Sequence, residues 1–220
     1  KVVNATKKKG YDAIQEAIDE AGPGDIIRVA SGTYHEYLFI EKPISLLGPN
    51  AGIPGYSEDR GPEAIITVPE DIELDNPEGN GNAVIDIESS RVTIDGFRIT
   101  GDNGNGKTNY AGCNIQAGFG IFAYVYGERE KLEFRNNVFD CFSNAGMFIV
   151  QYDEEKKDHG SIDKLSISGN LIQNIYDFRL TGSGYGIYLN ETSGRINDNV
   201  IKDSRIGIRL QPYSTVTDGQ

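Results

Sequence analysis

Short runs of alternating apolar and polar residues recur along this chain, and three of them superpose. Leu132–Phe139, Leu165–Ile172 and Arg195–Ile201 each place an apolar residue (Phe134, Ile167, Ile196) three positions before an Asn (Asn137, Asn170, Asn199). A second apolar residue stands two positions after that Asn. An earlier copy, Val92–Ile99, keeps the apolar spacing but holds Phe97 where the Asn would be. Period-two alternation is the pattern of a strand with one buried face. A second motif recurs as Gly120-Ile121-Phe122-Ala123, Gly146-Met147-Phe148-Ile149, Gly186-Ile187-Tyr188-Leu189 and Gly207-Ile208-Arg209-Leu210. Its copies lie 26, 40 and 21 residues apart. The shortest interval is less than the ~30 residues of a βαβ unit. It suits one bare turn of a solenoid of strands, with loops inserted in the longer turns. Such a turn cannot bury its apolar face alone and must stack on its neighbours. Asn at a fixed bend suits that stack, because it tolerates left-handed backbone geometry and its amide can bond backbone groups from turn to turn.

Before the repeats, Lys1 to Ala5 reads as a short strand. Asp12-Ala13-Ile14-Gln15 has capping-box spacing, with Asp12 as the N-cap. Ile14, Ala17, Ile18 and Ala21 then share one helical face, and Gly22-Pro23-Gly24 ends the helix. An amphipathic helix here would cover the apolar end of the first coil. The predicted fold is therefore all-β, a parallel β-helix of six or seven coils in one domain. Residues 1–24 form the strand and cap, 25–212 the coils, and 213–220 the start of a further coil. That last segment predicts that more protein, or a second chain, continues the stack. The longest insertions are 48–62, 70–82, 101–118, 151–161 and 173–183.

Composition fits a turn-rich β architecture: 220 residues with 27 Gly, no Trp and a single Met. A net charge of −12 argues against nucleic acid or an anionic membrane surface as partner. No apolar run approaches the ~18 residues of a membrane span. The chain opens at Lys1 with no signal-peptide pattern, which reads as a mature or excised segment.

The stretch from Ala13 to Asn50, with Gly22-Pro23-Gly24-Asp25 and Ser31-Gly32-Thr33-Tyr34 at its corners, resembles the opening of the pectin lyase-like superfamily of right-handed parallel β-helices. It is especially similar to the first coil of pectin methylesterases. The resemblance covers about the first 50 residues; beyond them only the repeat pattern matches. It implies the right-handed fold and an extracellular or cell-surface polysaccharide-related role. The methylesterase, polygalacturonase and pectate lyase catalytic motifs are not matched. Tyr176-Asp177-Phe178-Arg179, Asp158-His159-Gly160 and Arg205-Ile206-Gly207 are faint echoes only. A lyase or epimerase would need a base and a group to neutralise a uronate, for which Arg135, Arg179, Arg209 and His159 are the candidates.

Alternation places Ile121, Met147, Ile187 and Ile208 inside, and Phe122, Phe148, Tyr188 and Arg209 outside in one column. Tyr124, Val150, Asn190 and Gln211 form the next outward column. Phe122, Phe148, Tyr188, Arg209, Tyr124, Asn190 and Gln211 are thus the candidate glycan-binding residues, on which a sugar would stack. Asp71, Glu73 and Asp75 in one acidic loop and Asp102 in another are candidate calcium ligands; no other cofactor is expected. Cys113 and Cys141 approach adjacent coils and are expected to form a disulfide. The leading expectation is a carbohydrate-binding module. A structural or adhesive segment and a polysaccharide lyase or epimerase are the alternatives.

Overall fold

The computed structural model describes residues 2–5, 13–69, 83–104, 112–126, 129–152, 162–177, 182–211 and 214–217. Its strands form three parallel sheets of eight, six and six strands. Each coil visits the three sheets in turn. The fourth coil shows the plan: Arg129–Arg135 lies in the first sheet, Val138–Phe142 in the second and Ala145–Tyr152 in the third. Each strand pairs in register with its equivalents one coil before and one coil after. Six such coils stack, giving an all-β parallel β-helix about 30 Å long at a strand spacing of ~4.8 Å.

The apolar positions predicted from alternation line the interior. Leu38, Ile85, Ile121, Met147 and Ile187 form one inward column, all at most 1 % exposed. Ile208 continues that column but is 43 % exposed, because no described strand stacks beyond it in this sheet. Among the described residues no helix is long and apolar enough to cross a membrane.

The N-terminal helix, Ala13–Glu20, buries Ile14, Ala17 and Ile18 as expected, together with Ala13, and Ala21 is buried just beyond its end. Its first turn also draws a partner from far along the chain. The Glu36 carboxylate accepts from the backbone N–H of Ile14 at 3.0 Å and of Gln15 at 3.0 Å. An acid at a helix N-terminus satisfies orphan donors and suits the helix dipole. The Gln15 side-chain oxygen accepts from the Phe39 N–H at 2.9 Å. Asp12 lies outside the described residues.

The Asn ladder sits at the corner between the first and second sheets. The left-handed conformation falls one residue earlier than expected, on Gly96, Asn136, Gly169 and Asp198, with φ of 84°, 58°, 66° and 54°. That bend turns the next side chain inward. The Asn170 amide donates to the Phe134 carbonyl at 2.8 Å, and its oxygen accepts from the Asn137 N–H at 3.0 Å. Asn199 repeats the pattern one coil on, accepting from the Asn170 N–H at 3.0 Å and donating to the Ile167 carbonyl at 2.8 Å. Asn137 and Asn170 are fully buried, whereas Asn199 is half-buried.

Outside this corner, Gly48–Pro62 forms a strap across several coils. The Arg60 guanidinium pairs with Glu63 at 2.7 Å and donates to the carbonyls of Ile53 at 2.9 Å and Asn136 at 2.8 Å. Gly55 donates to the Gly169 carbonyl at 2.7 Å. Only glycine fits there, since a Cβ would collide with the Asn137 carbonyl.

Candidate functional site

The third sheet carries the predicted outward column. Its geometry starts from the glycine that opens each motif. A Cβ at Gly120 would lie 2.7 Å from the Phe139 ring, one at Gly146 2.8 Å from Ile172, and one at Gly186 2.6 Å from Ile201. In these three coils core side chains of the second sheet therefore occupy the space at this corner, and the strand passes without a side chain; at Gly207, in the last described coil, a Cβ would meet nothing within 4 Å. The following residue turns in, and the one after it turns out.

Phe122, Phe148, Tyr188 and Arg209 fall on one register line, as alternation predicts. The rings of Phe122 and Phe148 are 5.3 Å apart and 5° from parallel; those of Phe148 and Tyr188 are 4.3 Å apart and 6° from parallel. Phe119 buttresses the ladder edge-on, 5.3 Å from Phe122 and 5.2 Å from Phe148, and Tyr185 tilts against Tyr188 at 5.2 Å. Such aromatic contacts add about 0.5–1.5 kcal/mol each beyond burial. The three ladder rings are half-buried and Arg209 is exposed.

Stacking has a consequence for ligand contact that the sequence did not show. Both faces of Phe148 are covered by its ladder neighbours, so a sugar cannot stack on it. The ladder offers ring edges along its length, and the Tyr188 face directed toward Arg209 at one end. Asn190 and Gln211, both half-buried, flank the ladder in the next column. Tyr124 pairs in register with Val150, but its side chain lies outside the described residues.

The column also extends further than the motif suggested. Asp86 pairs in register with Phe122 on one side and Phe39 on the other. The strand Ala83–Ile87 lacks the Gly-Ile motif, which is why sequence comparison missed it. Its own alternation, with Asp86 directly after the inward Ile85, was the available signal. The Asp86 Oδ1 atom is buried and accepts no hydrogen bond among the described residues. Burial, together with the negative charge of Glu88, pushes the Asp86 carboxyl up to about 6.

The 151–161 insertion connects a third-sheet strand, Ala145–Tyr152, to a first-sheet strand, Ile162–Ser168, and its residues 153–161 lie outside the described residues. The described part of 101–118 borders the second sheet. There a groove of about 540 Å³ is lined by residues that include His35, Thr67, Arg98, Asp102 and Cys141. Cys113 and Cys141 are joined as a disulfide with a Cα separation of 5.7 Å, which ties the insertion to the second-sheet strand. Arg98 pairs with the buried Asp140 at 2.7 Å.

Of the calcium candidates, Asp71, Glu73 and Asp75 lie outside the described residues. Asp102 accepts from the backbone N–H of Gly104 at 2.9 Å and of Asn114 at 3.2 Å, so its carboxylate braces its own loop. Among the candidate bases, Arg135 is tied to Asp95 at 3.1 Å, while His159 and Arg179 lie outside the described residues.

No curated protein and no solved structure matches the chain. Residues 2–218 match a family whose description reads "Protein of unknown function (DUF1565)", and this parallel β-helix chain belongs to that family.

Proposed function

We propose that this chain is a carbohydrate-binding β-helix module of the pectin lyase-like type, displayed outside the cell. The observation that carries the reading is the half-exposed ladder Phe122, Phe148 and Tyr188, continuous over three coils with Asp86 at one end and Arg209 at the other. Sugars combine apolar C–H patches with hydroxyls, and a ridge of ring edges flanked by the amides of Asn190 and Gln211 complements both. The Tyr188 end adds an aromatic face beside a cation, suited to a hydroxyl or carboxylate on the ligand. The disulfide supports an oxidising compartment. The −12 charge favours a neutral or cationic polymer over a polyanion. The Arg135–Asp95 ion pair supports a structural role for that arginine and weighs against its use as a lyase base.

A second reading, a structural or adhesive segment, draws support from Val200, Ile208 and Leu210. These are 38 %, 43 % and 42 % exposed, and Ile208 and Leu210, which continue inward columns, offer an apolar surface suited to stacking against another coil or chain.

The test is a glycan-array screen of the intact chain, followed by titration of the best binder with the Phe148→Ala and Tyr188→Ala proteins. The proposal expects affinity to fall about tenfold in both, in line with the loss of an aromatic contact of ~1.4 kcal/mol. Undiminished affinity in two folded variants refutes it. Lost thermal stability with affinity intact would assign the ladder to packing alone.

A further inference from the structure

The outward column of the third sheet runs Phe39, Asp86, Phe122, Phe148, Tyr188, Arg209 in register. Asp86 is much shorter than the phenylalanines on either side. Phe39 and Phe122 are two strand steps apart, about 10 Å at ~4.8 Å per step. The column therefore has a notch there, with a carboxylate at its floor and an aromatic residue on each side. Phe39 is 39 % exposed, so this side of the notch is open to solvent.

Along its own three strands the notch is electrostatically one-sided. No Lys, Arg or His occurs on the three strands that form it, Leu38–Ile40, Ala83–Ile87 and Phe119–Tyr126. The nearest charged positions along these strands are Glu41, directly after the first, and Glu88, directly after the second; both are exposed acids. Aromatic faces carry negative charge density as well. Asp86 is half-buried and its inner oxygen, Oδ1, is buried without a hydrogen bond, so its negative charge is costly, and a cation beside the carboxylate relieves that cost. Arg209 stands four rungs away, about 19 Å, beyond the ~8 Å screening length of physiological salt, and does not supply that cation.

We infer that the notch between Phe39 and Phe122, floored by Asp86, takes a protonated amine, and that the glycan bound on this sheet carries free amino sugars. The inference rests on the carbohydrate reading above and names the class of sugar. A polymer of N-acetylated or neutral sugars would leave the carboxylate unpaired, and a uronate would be repelled by three acids. The raised Asp86 carboxyl agrees, since an arriving ammonium would restore its ionised form.

The experiment is calorimetric titration of the full chain at pH 6 with a β-linked glucosamine hexamer and with its fully N-acetylated counterpart. The glucosamine hexamer is expected to bind at least about tenfold tighter, the scale of one charge-assisted contact with an aromatic neighbour. Asp86→Asn, confirmed folded by its melting temperature, should erase that preference and leave the N-acetylated hexamer unchanged. Phe39→Ala should weaken the glucosamine hexamer alone. Equal affinity for the two hexamers, or a preference that survives in Asp86→Asn, overturns the inference. If Tyr188→Ala abolishes binding of both hexamers while Asp86→Asn alters neither, the glycan reading stands and the amine notch falls. If no oligosaccharide binds, both fall. A lysine-rich peptide that competes as well as the glucosamine hexamer overturns the assignment to a sugar.

Discussion

Replacing Asn170 by Ala tests the corner most directly. The Asn170 side chain makes four contacts: to the Phe134 carbonyl and Asn199 Oδ1, each at 2.8 Å, and from the Asn137 backbone N–H at 3.0 Å and Asn137 Nδ2 at 3.3 Å. Truncation strands two fully buried backbone groups, the Phe134 carbonyl and the Asn137 N–H. Asn137 Nδ2 keeps its bond to the Ile94 carbonyl at 3.0 Å, and half-buried Asn199 is within reach of water. Each buried group left unpaired costs about 1–3 kcal/mol, so the variant should lose about 3 kcal/mol. Asn199→Ala also removes the acceptor of the Asn170 N–H and the donor to the Ile167 carbonyl, but Asn199 is itself half-buried, so water can enter the gap it leaves, and the variant should lose about 1 kcal/mol. Urea denaturation with a shared m-value measures both. The ordering carries the argument. An Asn199→Ala loss equal to that of Asn170→Ala, or an Asn170→Ala loss below about 1 kcal/mol, would show that buried amide satisfaction is not what holds the corner.

Three further perturbations follow. Replacing both Cys113 and Cys141 by Ser opens a cross-link spanning 28 residues and should lower stability by about 3 kcal/mol; an unchanged urea midpoint would mean that the bridge does not constrain the unfolded chain. Arg60→Ala strips the Glu63 carboxylate of its cationic partner, though Asn50 still donates to it, and leaves the Ile53 carbonyl of the strap and the Asn136 carbonyl of the fourth coil without that donor; it should cost about 3 kcal/mol in a thermal melt, and a loss no larger than that of an exposed Arg-to-Ala control would contradict the strap. Asp86→Asn should stabilise the protein at neutral pH. The folded carboxyl, at about 6, lies above its ordinary value of 3.8, so folding takes up protons between the two values and wild-type stability falls as pH rises through that window. The full shift corresponds to about 3 kcal/mol, and solvent screening of this half-buried group reduces it to about 1 kcal/mol. The gain should be present at pH 7 and vanish by about pH 4; a gain independent of pH would refute the cause.

Repetition is what made the fold readable. Asn137, Asn170 and Asn199 announced a shared corner, and the Gly-Ile motif announced a shared strand, because each copy reports the same local constraint. The details that escaped depend on residues far apart in the chain. The cap on the helix comes from Glu36, more than twenty residues from the N–H groups it accepts from, and no local spacing rule could point to it. The left-handed residue of each corner was misplaced by one, because the repeat shows which position is shared but not whether its backbone or its side chain makes the turn. The outward aromatic column followed from alternation alone, yet the mutual stacking of its rings needed the third dimension. Asp86 sat in a strand without the motif, so only cross-strand register placed it beside Phe122.

The strap changes how this solenoid should come apart. In a pure stack each coil meets only its immediate neighbours, and unfolding can begin at either end and proceed one coil at a time. Here Gly48–Pro62, inserted in the second coil, is bonded to Asn136 in the fourth and Gly169 in the fifth. Those bonds clasp non-adjacent coils like the spine of a book. Peeling the second coil away would tear contacts three layers deeper, so coils two to five should exchange their amide protons as one block. The sixth coil, with half-buried Asn199 and exposed Ile208, lies beyond the clasp and is the layer expected to fray alone.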